Sequence, residues 1–320
     1  MKRRIFSVLM SAALLLGMTA LLAGCAAGPI TTADNNGTTI IVTSPAALAL
    51  VTPLIRNYVE DGGDSVVTVE YLYKPGQDSH SFEPTAKDIL ALAKADVVVC
   101  TGSETWFESS LKASGNTVAR VVSMMEACDV TAEDHDHDHD HDQACGLING
   151  DEHVWLSVEN AIRIVTAVTG ALVEADPDSA HVWKDHAEAY KAELATLSEE
   201  YRTMMETAAR DTVVIADRHP FVYLFHELGL NCVAAFPGCS SEVSASFETQ
   251  TKLIETVRSK GITYIFVMEG SDAKVAGVVA GETGAEILTL NSLQIVSDHE
   301  SVSYVEIMRD NLENLKKALE

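Results

Sequence analysis

Between Glu133 and Trp155 the chain concentrates side chains that bind cations. Residues Asp134 to Asp142 alternate strictly, setting His135, His137, His139 and His141 between carboxylates; Asp151-Glu152-His153-Val154-Trp155 follows, one histidine among acidic and aromatic neighbours. Alternating imidazole and carboxylate builds no apolar face at the helix or the strand period, so the run reads as a solvated loop. Neutral imidazole and carboxylate are both competent ligands for a borderline-soft divalent cation, and four spaced imidazoles would hold such an ion loosely. Taken alone, the run reads equally as an acidic surface loop without a ligand.

Three further positions turn that reading toward a defined site. His80 follows a strand and the turn Lys74 to Asp78, and precedes a helix opened by Pro84. His219 follows a strand ending at Ala216-Asp217 and precedes Pro220, the expected first helical residue. His153 lies in a loop before a helix from Val158. In open parallel sheets ligands bind outside the carboxyl ends of strands. His80 and His153 from the first half and His219 from the second are therefore expected to meet at a crevice. A helix N-terminus opposes a cation, but it also keeps imidazole neutral with its lone pair available. The ion's charge then needs anionic support, for which Glu83, Asp151, Glu152 and Asp217 are candidates. Glu269, at the strand end Val267-Met268-Glu269-Gly270, is a further supporting or alternative ligand. His181 and His186 read as solvated helix residues.

Strand and helix periods alternate through both halves, which predicts an α/β fold of two lobes, each a parallel sheet flanked by helices. Residues 39–175 form the first lobe, with the His/Asp run 133–142 inside it, and 211–320 the second. From Asp178 to Arg210 there is neither glycine nor proline, and Ala187, Tyr190, Leu194, Leu197, Tyr201 and Met204 recur at the spacing of one helix face. The segment 176–210 thus reads as one rigid linking helix roughly 45–50 Å long. No sequence repeat relates the halves.

The 320 residues, 47% of them hydrophobic, suffice for two modest cores, and a net charge of −25 excludes a nucleic-acid partner. Lys2, Arg3 and Arg4 precede an apolar stretch from Ile5 to Leu22, and Leu22-Ala23-Gly24-Cys25 resembles a bacterial lipobox. That resemblance implies a signal peptide over 1–24, lipidation of Cys25, a small polar tether over 25–38, and an extracytoplasmic protein held at the cell membrane. Cys128 and Cys145 bracket the His/Asp run and Cys232 and Cys239 flank a Pro237-Gly238 turn, so each pair is a candidate disulfide. Cys100 reads as a buried thiol.

The joint pattern resembles the zinc/manganese substrate-binding lipoproteins of ABC transporters. Pro75 to Thr85, with Ser79 where a proline is usual, is similar to that family's first metal motif. Asp151 to Leu156 is similar to the second, Asp217-Arg218-His219-Pro220-Phe221 with Tyr223 to the third, and Tyr304 to Leu312 to its closing helix. The resemblance implies a monomeric, non-enzymatic binder with His80, His153 and His219 around one ion, delivered to a membrane permease. The family's usual fourth ligand is an aspartate; here Asn291 stands there, leaving Asn291, water or a loop carboxylate such as Glu152 for that position. Three imidazoles favour Zn2+ over Mn2+, since manganese prefers more oxygen ligands. The competing readings are a zinc-dependent hydrolase, which lacks an HExxH-type motif here, a cobalamin or siderophore binder of similar architecture, and an adhesin. On the metal-carrier reading, deleting residues 133–142 should abolish weak zinc sites in a titration and leave one tight site; losing the tight site would contradict that division of labour.

Overall fold

The computed structural model describes residues 30–31, 37–63, 66–74, 76–77, 82–130, 150–238, 245–296, 298 and 302–320. The His/Asp run, His80, Cys25, Cys145 and Cys239 lie outside them.

The first sheet contains β2 (Thr38–Val42), β3 (Val67–Tyr71), β4 (Val97–Cys100) and β5 (Arg120–Ser123), all parallel, in the order β3-β2-β4-β5. A short β1 (Ile30–Thr31), inside the expected tether, pairs antiparallel with β3 at the edge. The second sheet holds β6 (Thr212–His219), β7 (Asn231–Pro237), β8 (Tyr264–Met268) and β9 (Glu286–Leu290), parallel in the order β7-β6-β8-β9. The parallel strands of each half start at an inner strand, step outward, then return across it. The halves therefore share a topology that their sequences do not display, and each has a switch point beside its first parallel strand.

Helices α1 (Pro45–Ile55), α2 (Ala86–Leu92), α3 (Phe107–Ser114) and α4 (Met124–Ala127) belong to the first lobe. After a 3-10 turn over Val154–Leu156 come α5 (Val158–Ala175) and α6 (Ala180–Thr207). The second lobe adds α7 (Val222–Leu228), α8 (Phe247–Lys260), α9 (Lys274–Thr283) and α10 (Tyr304–Leu319). The first helix stops at Ile55, because Arg56 turns extended and Asn57 left-handed. Ahead of α2, Thr85 rather than Pro84 opens the helix, with the Asp88 carboxylate accepting both Thr85 N–H and its hydroxyl at 2.7 Å.

Strand alternation sorts the side chains into three cores. Ile41, Val98 and Cys100 face α2 and α3, and Val214, Ala216, Ile265 and Val267 face α8 and α9. The opposite faces, Ile40, Val42, Val97 and Val99 with Val213, Ile215, Phe266 and Met268, join one continuous core that also takes in α1, α5, α6, α7 and α10. The linking helix spans roughly 42 Å. It runs through this core, with all six residues of its expected apolar stripe buried. Leu194 and Leu197 are wholly inaccessible, each contributing about 1.5–3 kcal/mol. Its first turns are tied to the first lobe, where Trp183 stacks on Tyr58 at 4.2 Å and the Tyr58 hydroxyl donates to Asp176. Further along, the Tyr201 hydroxyl donates to Met308 O at 2.7 Å on α10.

Two expectations about side chains need correction or stop short of a test. His181 is exposed as expected, but His186 is packed, with Nδ1 2.8 Å from Leu54 O and Nε2 3.0 Å from Asp61 Oδ2. The apolar stripe on its helix gives no hint of the α1 carbonyl that draws this ring inward. Cys100 is a buried thiol, and the buried Cys128 thiol lies 3.8 Å from Asn160 O. The expected partners of Cys128 and of the buried Cys232 fall outside the described residues.

The fully buried Tyr304 hydroxyl donates to Trp155 O at 2.8 Å, across the seam between lobes. Replacing Tyr304 with Phe should cost about 1–3 kcal/mol, because a buried carbonyl loses its donor. Urea denaturation should then show a lower midpoint with an unchanged slope; an unmoved midpoint would exclude the bond.

Candidate metal centre

His219 is the last residue of β6, not the first residue beyond it. The strand extends because it bulges between Ile215 and Arg218, which then resumes pairing with Phe236 as His219 does with Pro237. At the bulge β6 meets β8 in register only at Ile215 and Phe266. The Asp217 carboxylate fills the gap, accepting Arg218 N–H at 2.8 Å and Met268 N–H at 3.2 Å. Asp217 is thus occupied in the sheet rather than beside a histidine. Pro220 separates strand from helix, and α7 begins at Val222 after the Phe221 cap.

His153 caps the 3-10 turn and is completely buried. Asp151 Oδ1 accepts its backbone N–H at 2.9 Å and lies 2.9 Å from its Nδ1. A carboxylate at that distance places the ring proton on Nδ1, which leaves Nε2 as the nitrogen with a lone pair to offer. The Trp155 ring packs edge-on at 5.2 Å.

The two histidines come from different lobes and converge. His219, packed 5.0 Å from the Phe225 ring, has its pKa lowered to about 4. Burial is the main cause; Asp151 pulls the value up and His153 pushes it down, so both groups of the second motif are close enough to act on His219. Gly238 seals the same junction. A Cβ there would stand 2.9 Å from Asp151 Oδ2 and 3.0 Å from His219 O, so only glycine lets the β7 end approach both motifs. The Tyr223 hydroxyl of α7 donates to Asp151 O at 2.6 Å, a further tie between lobes.

The remaining candidates do different work. Glu83 is exposed, and Glu152 accepts from the Ser103 hydroxyl. Asn291 is turned to its own chain: Oδ1 accepts Leu293 N–H at 2.9 Å, while its backbone N–H and carbonyl pair with Asn311, each at 2.8 Å. Glu269 is half-buried and accepts Ser292 N–H at 2.8 Å, the Ser292 hydroxyl at 2.7 Å and Gln294 N–H at 3.2 Å. Burial pushes its carboxyl above the ordinary range while these donors pull it down. Among the described residues no three His, Cys, Asp or Glu side chains close a metal cage. His153 and His219 come together, and His80 falls outside the described residues.

Sequence reasoning did not assign roles to Trp155 or Gly238. The indole Nε1 donates to Ser292 O at 2.9 Å, binding the second motif to the loop after β9. A tryptophan two residues from a candidate ligand was the available signal.

A family model described as "Zinc-uptake complex component A periplasmic" matches residues 51–318. The high-affinity zinc uptake system protein ZnuA of Bacillus subtilis is 33% identical over 272 residues, covering 82% of this chain and 83% of that protein. Among solved structures, the metal-dependent lipoprotein YcdH of Bacillus subtilis is 27% identical with a TM-score of 0.70, covering 89% of this chain and 100% of that one. The Zn(II)-bound ZnuA-like domain of Streptococcus pneumoniae AdcA is 25% identical with a TM-score of 0.68, covering 89% and 99%.

Metal-free protein should lose stability as pH falls. Unfolded histidine takes up a proton near pH 6.5 and buried His219 only near 4, so the contribution is complete above 6.5 and disappears on acidification toward 4. The expected loss from this residue is on the order of 3 kcal/mol between pH 7 and pH 4. His219→Gln should flatten the profile of unfolding free energy against pH; an equally steep profile would show that the ring is not buried neutral.

Proposed function

The chain belongs to the zinc-uptake complex component A family, and on that premise we propose that it captures Zn2+ in the crevice between its lobes for import by an ABC permease. It is an extracytoplasmic transport component and not an enzyme. His80, His153 and His219 supply three imidazole nitrogens, the donor set that suits tetrahedral zinc. The observation that carries this reading is the meeting of His153 and His219 from opposite lobes, both buried, with Asp151 setting the tautomer of one and burial keeping the other neutral. A coordinating histidine must offer a lone pair, so neutrality and tautomer are what such a site requires of its protein.

The fourth position falls to water, to Asn291 or to a carboxylate such as Glu152; the last two must each give up the contact they now hold. Capture proceeds without wide swinging of the lobes, because the core and the Trp155, Tyr223 and Tyr304 bonds run straight across the seam. Loading instead orders the loops that carry the ligands. His135, His137, His139 and His141 gather zinc weakly and pass it on. Lipidated Cys25 tethers the monomeric body to the membrane beside the permease; among the described residues no helix is long and apolar enough to cross a bilayer. The pairs Cys128–Cys145 and Cys232–Cys239 belong to the same proposal, as staples available in an oxidising compartment.

Metal analysis of the purified protein tests this directly. Wild type should carry one tightly held zinc. His153→Ala should weaken it by more than the roughly 10–100-fold that losing a supporting partner costs. Unchanged zinc content and affinity in the variant would remove His153 from the site.

A further inference from the structure

Residues 291–296, which follow β9, do more than end a strand. From the second lobe this segment reaches both metal motifs of the first. Ser292 O accepts the indole N–H of Trp155 at 2.9 Å, two residues from His153. Val296 O accepts Gly76 N–H at 2.9 Å, in the turn that leads to His80. The segment is held under strain. Leu293 is fully buried with φ of 59°, a left-handed conformation that a branched aliphatic residue rarely adopts and that surrounding contacts must enforce.

Glu269 enforces it. The residue sits one step past β8, where its backbone N–H donates to Leu290 O at 3.1 Å. Its Oε2 accepts Ser292 N–H, and its Oε1 accepts the Ser292 hydroxyl and Gln294 N–H. The Gln294 side chain closes the cluster by donating to Ser292 Oγ at 2.8 Å. Both carboxylate oxygens thus face the segment on either side of Leu293, and a half-buried carboxylate is held there by such donors.

We propose that Glu269 is a positioning residue of the zinc site, fastening residues 291–296 as a strap that fixes His153 through Trp155 and the His80 turn through Gly76. This rests on the zinc-capture reading above and deepens it. Glu269 binds no metal itself; it sets how firmly the ligands from the first lobe are presented to His219. A strap anchored in one lobe and bonded beside His153 in the other acts mainly on zinc release, because loosening it frees the His153 motif from the second lobe.

The test uses the full chain with Glu269→Gln, Glu269→Ala, Trp155→Phe and the Glu269→Gln/Trp155→Phe double variant. Zinc dissociation into a chelator, the visible spectrum of the Co2+-substituted protein and thermal unfolding are measured for each. Glu269→Ala should speed zinc loss by roughly 10–100-fold, the range for residues that orient ligands. Glu269→Gln, which keeps one acceptor oxygen, should fall between it and wild type. Both should shift the Co2+ bands, since ligand geometry changes. Trp155→Phe, which cuts the strap at its far end and keeps an aromatic ring, should speed release as well. The double variant should lose less than the product of the single effects, as residues acting through one element do. Lower melting temperatures with wild-type release rates and Co2+ spectra would overturn the inference, leaving Glu269 a purely structural acid. Fully multiplicative losses would overturn the shared strap. If Glu269→Ala does not fold, the other two single variants decide. Wild type that holds no zinc would overturn the underlying function and this inference with it, an outcome distinct from variants that match a zinc-loaded wild type.

Discussion

The two lobes share one apolar core, and the meeting of His153 and His219 depends on it. Apolar side chains from the inner faces of both sheets meet around a helix whose ends are tied to different lobes by Tyr58, Trp183 and Tyr201. Opening such a seam would expose that surface to water at about 25 cal/mol for each Å². It would also strip the Trp155 and Tyr304 groups of their partners. The shared core holds the segments that carry His153 and His219 against each other across the seam.

The second requirement is chemical. A metal ligand must be deprotonated before the ion arrives, and an exposed histidine is protonated for part of the physiological range. Burial lowers the His219 pKa to about 4, while Asp151 accepts a hydrogen bond from Nδ1–H of His153 and so leaves Nε2 with its lone pair. The Asp151 carboxylate fixes the His153 tautomer but pulls the His219 pKa up, so burial outweighs it there, and Gly238 admits the close backbone approach of the two motifs. Burying a neutral imidazole costs far less than burying its cation, so the core that sets the geometry also sets the protonation state.

Much of this was legible in the residues. The second lobe alternates strand and helix as expected, with Ser246 capping Phe247–Lys260 and left-handed Gly261 and Gly284 ending Phe247–Lys260 and Lys274–Thr283. Helix stops and starts of this kind are local, and local signals survive in a sequence. What was not legible is long-range. The extension of β6 to His219 needs a bulge whose missing ladder bond is replaced by the Asp217 carboxylate accepting Met268 N–H from the neighbouring strand. An acid at a strand end looks like a ligand, yet the donors that occupy Glu269 arrive 23 and 25 residues later. His186 meets a carbonyl from a helix 132 residues earlier. Periodicity reads a face, not the partner that covers it.

Zinc-edge anomalous diffraction from crystals of the zinc-loaded protein tests the central claim most directly. One peak is expected in the crevice, with nitrogen of His80, His153 and His219 each about 2.0–2.1 Å away. A tightly bound zinc elsewhere, or one touched by only a single lobe, would contradict the account.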